Sequence, residues 1–234
     1  MKLVVFDIDG TLTLGDGLGT RCFFSAFEIA FGSLGLSRRL DTYRESTDTG
    51  IAREALEMAL HRAPSDEELA RVKQVYLDLL EQEIARAPRA YRPVRGADRI
   101  VSMLLDHAQW TVSLATGNWR RAASLKLASA SIPIGDPLPP GGFGEDGDSR
   151  TAVLRAALVR AAQSAAGTFE RVVYIGDQLW DLAAARSAGA DFIGVATGGQ
   201  GRALLDAGAQ VLEDFQCVET FLQRMEDPEG NGRR

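Results

Sequence analysis

Lysine is nearly absent from this chain: of 26 basic residues only three, Lys2, Lys73 and Lys126, are lysine. Beside its alanine-rich helical stretches, this looks like a bias in codon composition and not a binding signal. Histidine and cysteine are as sparse, with two of each. Cys22 and Cys217 lie in no CxxC and beside no histidine, which argues against a disulfide or thiolate metal site; buried free thiols are expected. His61 and His107 fall on predicted helices among ordinary neighbours and are expected at the surface. No apolar run approaches the roughly 18 residues needed to span a bilayer. No basic n-region with an apolar h-region precedes the first strand, so a cytoplasmic location is expected. The net charge of −6 argues against nucleic acid or an anionic membrane as the main partner.

What remains is an ordinary globular composition, 45% hydrophobic and 25% charged over 234 residues, enough for one large domain or two smaller ones. Strand signals are few and well separated: Leu3–Phe6, Trp110–Ala115, Arg171–Ile175 and Asp191–Ala196. Helical segments lie between them, the alternation of an α/β fold with a Rossmann-like parallel sheet. A fifth strand is sought in the Pro/Gly-rich stretch Ile132–Gly144. No internal repeat is evident, and the tail Asp227–Arg234 has a disorder-like composition.

From Gly15 to about Arg92 the alternation breaks. Three helix-like runs fill the interval, about Thr20–Phe31, Thr49–His61 and Ser65–Ala87. The last opens on a capping box, with Ser65 as N-cap and Glu68 three residues on. Such a block between two core strands reads as an inserted helical cap domain at 15–93, with the core formed by 1–14 and 94–234. Leu14–Gly19 and Pro88–Gly96 suit paired hinges.

The chemistry begins at the end of the first strand. Asp7 and Asp9, two positions apart on extended chain, project to one side. Two acids at the end of a hydrophobic strand are electrostatically costly unless a cation or a reaction needs them, and open α/β sheets bind ligands at the carboxyl ends of strands. The second strand runs into Thr116-Gly117-Asn118 and a helix. A hydroxyl, free backbone N–H groups and a helix N-terminus there make a phosphate cradle. The strand at Arg171 ends in Gly176-Asp177, with Asp181 four residues on.

Asp7-Ile8-Asp9-Gly10-Thr11-Leu12-Thr13 resembles the first motif of the haloacid dehalogenase superfamily. Thr116 resembles its second, and Gly176-Asp177 with Asp181 its fourth. With Gly142-Phe143-Gly144 the resemblance covers nearly the whole chain, and it points to the phosphoglycolate-phosphatase-like members with a helical cap. It implies that Asp7 is a nucleophile taking the phosphoryl group, and that Asp9 starts protonated as the general acid. An aspartyl-phosphate would split a very slow hydrolysis into two easier steps. It also implies Mg²⁺, held by the Asp7 and Asp177 carboxylates and the Asp9 backbone carbonyl. Asp181 would orient a metal-bound water or Asp177, or else simply be an acid in the first turn of the following helix. Gln178 and Trp180 depart from the Ser/Thr and small or polar residues usual there.

The third motif should supply a Lys or Arg near the start of the helix before the fourth. Arg150 is favoured, since a cation at a helix N-terminus opposes the macrodipole and needs a reason such as phosphate. Lys126 competes, but lies about seven residues into its helix, roughly 10 Å from the start at ~1.5 Å per residue. Gly194–Gly201 lacks the GxGxxG spacing of a dinucleotide site and reads as a loop flanking the site. Glu145–Asp148 reads as a solvated loop. Thr47 and Asp48 resemble a substrate-specificity loop, with a plain N-cap as the alternative.

The expected function is a Mg²⁺-dependent phosphatase for a small phosphorylated metabolite, as monomer or homodimer. Asp9 and Asp177 speak against a dehalogenase. A phosphonatase would lack Asp9 and use a cap lysine, for which Lys73 is the sole candidate. A sugar phosphomutase and a catalytically silent phospholigand-binding protein remain as alternatives.

Overall fold

The computed structural model describes residues 1–227, so most of the terminal stretch Asp227–Arg234 lies outside the described residues. The first strand, β1 (Lys2–Phe6), is an apolar run whose Leu3, Val4, Val5 and Phe6 are all fully buried. A strand covered on both faces has no reason to alternate with polar residues. It lies between β4 (Trp110–Leu114) and β5 (Arg171–Gly176), followed outward by β6 (Asp191–Val195) and β7 (Gln210–Leu212), in the order β4-β1-β5-β6-β7. All pairings in this sheet are parallel.

Alternate residues of β1 serve opposite cores. Leu3 and Val5 pack with α6 (Arg150–Ser164), α7 (Leu179–Ala188) and α8 (Gly201–Asp206). Val4 and Phe6 belong to the core shared with α4 (Ala97–Leu105), α5 (Arg120–Ser129) and α9 (Val218–Glu226). Helices on both faces fix the strands' carboxyl ends as the exposed functional edge.

The fifth strand is β7, and not a segment of Ile132–Gly144. Pro133, Pro137, Pro139 and Pro140 deprive that stretch of ladder donors, and its backbone pairing with the sheet is limited to a bridge from Gly142 to Ala115, beside which Ser113 Oγ donates to the Pro140 carbonyl. Cys22 is buried, but Cys217 is exposed just before α9, against the expectation for both. His61 and His107 sit just beyond their helices, which end at Leu60 and Leu105.

Three α-helices fill the interval before Arg92: α1 (Leu18–Phe31), α2 (Asp48–Leu60) and α3 (Asp66–Arg86). The chain leaves through β2 (Thr13–Leu14) and returns through β3 (Arg92–Pro93), which pair antiparallel as Thr13 with Pro93 and Leu14 with Arg92. Both crossings therefore share one short ribbon beside the first motif. Ser65 and Glu68 form the reciprocal capping box that opens α3. Phe23 of α1 and Tyr76 of α3 meet edge to face at 5.6 Å, and Tyr76 lies 5.6 Å from Trp119, just ahead of α5. The aromatic core of the helical block thus extends onto the sheet-bearing part of the chain.

Candidate active site

Beyond β1, the Asp7 N–H still donates to the Ile175 carbonyl at 2.9 Å, so Asp7 is held beside β5. Asp177 follows β5 directly, and Asp181 comes from the first turn of α7. Carboxylate oxygens of Asp7, Asp177 and Asp181 lie within 4.8 Å of one another, and all three residues are buried. Arg150, the first residue of α6, places Nη1 3.2 Å from Asp7 Oδ1 and Nε 3.1 Å from Asp181 Oδ1. Among the described residues it is the one cation paired with this trio.

That imbalance appears in the protonation equilibria. Burial raises the Asp7 carboxyl to about 7 against the opposing pull of Arg150. Burial, with Asp7 and Asp181 adding, raises Asp177 well above the usual carboxylate range. Three clustered carboxylates with one guanidinium leave negative charge uncompensated, and a hard divalent cation with a preference for oxygen ligands fits that deficit. Space is also shaped around Asp177: a Cβ on Gly10 (φ +79°) or on Gly198 would lie 2.4 or 1.6 Å from its Oδ2. Thr11 Oγ1 donates to its Oδ1 at 3.3 Å, and Gln178 Nε2 donates to Oδ2.

Asp181 is already occupied on both oxygens. Oδ1 accepts from Tyr174 Oη at 2.9 Å and faces Arg150, while Oδ2 accepts from the Gln178 N–H at 3.2 Å and so caps α7. Of the two roles weighed for it from sequence, these contacts show the acid in the first turn of the following helix.

Asp9 faces the other way. Its Oδ2 accepts from Lys126 Nζ and from Asn118 Nδ2 at 2.8 Å, and Lys126 donates also to Asn118 Oδ1. Asn118 Nδ2 reaches Thr116 Oγ1 as well, at 3.0 Å. Burial presses the Lys126 ammonium toward deprotonation, but Asp9, Tyr76, Tyr91 and Asp48 outweigh it and hold the pKa well above the ordinary value. The distance argument against Lys126 needs correction. Helix α5 begins only at Arg120, and helical side chains lean toward the N-terminus, so Lys126 reaches back to the site. Both candidate cations are thus present, Arg150 beside Asp7 and Lys126 beside Asp9.

Asp7, Asp9, Gly117, Asn118, Lys126 and Arg150 line one side of a cavity of about 660 Å³. Phe23, Asp48, Tyr76 and Tyr91 face them, and Thr197, Gly198 and Gln200 flank it, as the loop reading of Gly194–Gly201 expected. Thr116, Thr47, Asp177 and Asp181 are not in its wall. Three donors of the lining residues, Tyr91 Oη, Trp180 Nε1 and Arg150 Nε, are buried with no hydrogen-bond partner among the described residues, the last meeting Asp181 only as an ion pair.

Thr47 caps α2 by accepting from the Gly50 N–H at 3.0 Å, and its hydroxyl lies 2.9 Å from the carbonyls of both Gly147 and Asp148. Asp48 does line the cavity, and its N–H donates to the Gly117 carbonyl at 2.7 Å. Lys73 pairs with Glu145 at 2.6 Å and stays out of the cavity wall. The stretch Glu145–Asp148 is more than a solvated loop: Glu145 also accepts from the Arg120 N–H at 2.9 Å, and Asp146 pairs with Arg160 at 2.5 Å. Tyr91 and Trp119 went unnoticed from sequence, because nothing in their local pattern distinguishes them from core aromatics.

A parallel sheet whose strands deliver buried carboxylates to a cavity at their carboxyl ends defines an α/β enzyme with an acidic active site. Residues 1–189 match the sequence model of the haloacid dehalogenase-like hydrolases, and the chain belongs to that family. Among solved structures it resembles a hydrolase from Pseudomonas syringae, with 21% identity over 96% of this chain and 99% of that one and a TM-score of 0.71. A putative beta-phosphoglucomutase from Bacteroides vulgatus superposes with a TM-score of 0.68 at 17% identity, over 98% of this chain and 90% of that one. A predicted phosphoglycolate phosphatase from Haemophilus somnus 129PT gives 0.60 at 14% identity, over 95% and 98% of the two chains. At these identities the likeness is one of fold. No curated protein matches the chain significantly. Among the described residues, no helix is long and apolar enough to cross a membrane.

Proposed function

We propose that the protein is a Mg²⁺-dependent phosphatase that hydrolyses a small phosphorylated metabolite through an aspartyl-phosphate on Asp7. The observation that carries this reading is the division between two neighbouring carboxylates. Asp7 stands with Arg150, Asp177 and Asp181, whereas Asp9 stands with Lys126 and Asn118 at the cavity. Two adjacent acids in unlike surroundings suit a nucleophile and a proton donor.

Asp7 would attack phosphorus, and Asp9 would protonate the departing oxygen and then activate water against the acyl phosphate. Arg150, with the Thr116 hydroxyl and the backbone N–H groups of Gly117 and Asn118, would hold the phosphoryl oxygens. The Asp7 and Asp177 carboxylates and the Asp9 backbone carbonyl would hold Mg²⁺, with Asp181 behind them. When bound, the ion would neutralise the carboxylate cluster and the phosphate charge. Residues 15–93 would act as a cap, closing the cavity through the contacts of Asp48 and Trp119 and excluding bulk water. Tyr91 Oη and Trp180 Nε1, donors with no hydrogen-bond partner among the described residues, would meet polar atoms of the substrate. The similar protein from Haemophilus somnus, a predicted phosphoglycolate phosphatase, agrees with this class of substrate.

The test is Asp7→Asn assayed on p-nitrophenyl phosphate with Mg²⁺. Turnover should vanish, and retained turnover would sink the assignment. A phosphomutase on the same scaffold would convert an added sugar phosphate to an isomer without releasing phosphate.

A further inference from the structure

We propose that Lys126 serves the leaving-group side of the reaction, positioning Asp9 and setting fixed positive charge beside the oxygen being released. The inference rests on the phosphatase reading above. Its basis is the separation of the two cations. Arg150 is committed to Asp7 and Asp181, whereas Lys126 touches neither and is bound to Asp9 Oδ2 and Asn118 Oδ1. An ammonium group has three donors; two go to these acceptors, and among the described residues the third has none. The side chain is 5% exposed, against 45% for Asp9, and both residues line the cavity.

Lys126 is also walled in. A Cβ on Gly19 of α1 would lie 3.1 Å from Nζ and 3.0 Å from Tyr91 Oη, so the glycine lets the first helix of the block close down on the ammonium. Asn118 completes the clamp by accepting from Lys126 and donating to the same Asp9 oxygen. Asp9 therefore has its carboxylate orientation fixed by two donors on one oxygen.

In the first chemical step a bond forms between an Asp7 oxygen and phosphorus. The bond from phosphorus to the ester oxygen breaks, its electron pair goes to that oxygen, and the proton comes from Asp9. Lys126 keeps its three protons throughout. Its charge matters in proportion to the negative charge that gathers on the departing oxygen. An alkoxide needs that help, whereas p-nitrophenolate, a stable anion, needs little.

The experiment compares p-nitrophenyl phosphate with glycerol 2-phosphate for the wild type, K126M, K126R and N118D. K126M should lower kcat on glycerol 2-phosphate about 100-fold and on p-nitrophenyl phosphate about tenfold or less. K126R should recover part of the difference. N118D keeps the side-chain shape but replaces the Nδ2–H donated to Asp9 with a charged oxygen that offsets the Lys126 charge, and should show the same selective loss. It carries the test if the lysine variants do not fold. Equal losses on both substrates in folded variants, with an active wild type, overturn the inference alone. A wild type inert toward both overturns the phosphatase reading and the inference with it.

Discussion

The backbone N–H of Trp119 donates to Asp48 Oδ2 at 2.9 Å, joining the start of helix α2 to the loop after β4. Asp48 gives that bond at a cost. Burial raises its carboxyl to about 6, outweighing the opposing pull of Lys126 and the Trp119 bond. The folded protein therefore holds this proton more tightly than the unfolded chain does. The contribution of Asp48 to stability is greatest below about pH 4 and declines as the pH rises to about 6, where it levels off. Between those limits it amounts to about 1–2 kcal/mol, allowing for solvent screening of a half-buried group. In D48N the side-chain oxygen still accepts from Trp119, but the titration is gone. Urea midpoints at pH 4.5 and 7.5 should show D48N gaining on the wild type at the higher pH. An equal difference at both would count against the buried-carboxylate account.

Local signals made part of this architecture legible. Leu3–Phe6 and Val172–Ile175 are uninterrupted runs of aliphatic and aromatic residues, and Ser65 with Glu68 announces a helix start within four residues. Asp7, Asp9 and Asp177 stand at strand ends, where the topology of a parallel sheet already implies convergence. What escaped was set by distance in sequence or by brevity. The strands of the β2–β3 ribbon have two residues each and β7 has three, too short for a period to show. The reach of Lys126 to Asp9 depends on where α5 begins and how its side chains lean, neither of which residue spacing gives. Tyr91 and Trp119 gain meaning only once the helical block has folded over the sheet.

A bound divalent ion should be visible without any turnover. If Asp177 helps to hold Mg²⁺, the ion binds the folded chain and not the unfolded one. Saturation at about 100 times Kd then stabilises by ~2.7 kcal/mol, a rise in Tm of about 5–10 °C for a domain of this size. D177N removes the ligand charge. G198A changes no ligand residue, yet its new Cβ would fall 1.6 Å from Asp177 Oδ2 and must displace the carboxylate. Both variants should lose most of the Mg²⁺-dependent rise in a thermal melt. An undiminished rise in D177N would place the ion elsewhere.

Arg150 donates to Asp7 through Nη1 and holds Nε in ion-pair range of Asp181, so the shape of its guanidinium matters as much as its charge. Lysine offers a point charge that cannot form this two-pronged contact. R150K should fold but lose about 100-fold or more in kcat, the scale for removing a preorganised donor to a reacting oxyanion. R150M leaves two buried carboxylates without their partner and should cost about 3–5 kcal/mol of stability at alkaline pH, where both are charged. That loss has a sign that can be checked. Arg150 is what lowers the Asp7 carboxyl, already raised to about 7 by burial, and its removal lets Asp7 rise further. The folded variant then binds protons more tightly than its unfolded chain, so acidification should restore stability. Denaturant midpoints of R150M should approach those of the wild type as the pH falls from about 9 toward 7, the range over which Asp7 gains its proton in the variant before it does in the wild type. If the gap stays constant, the damage lies in packing and not in the orphaned charge of Asp7 and Asp181.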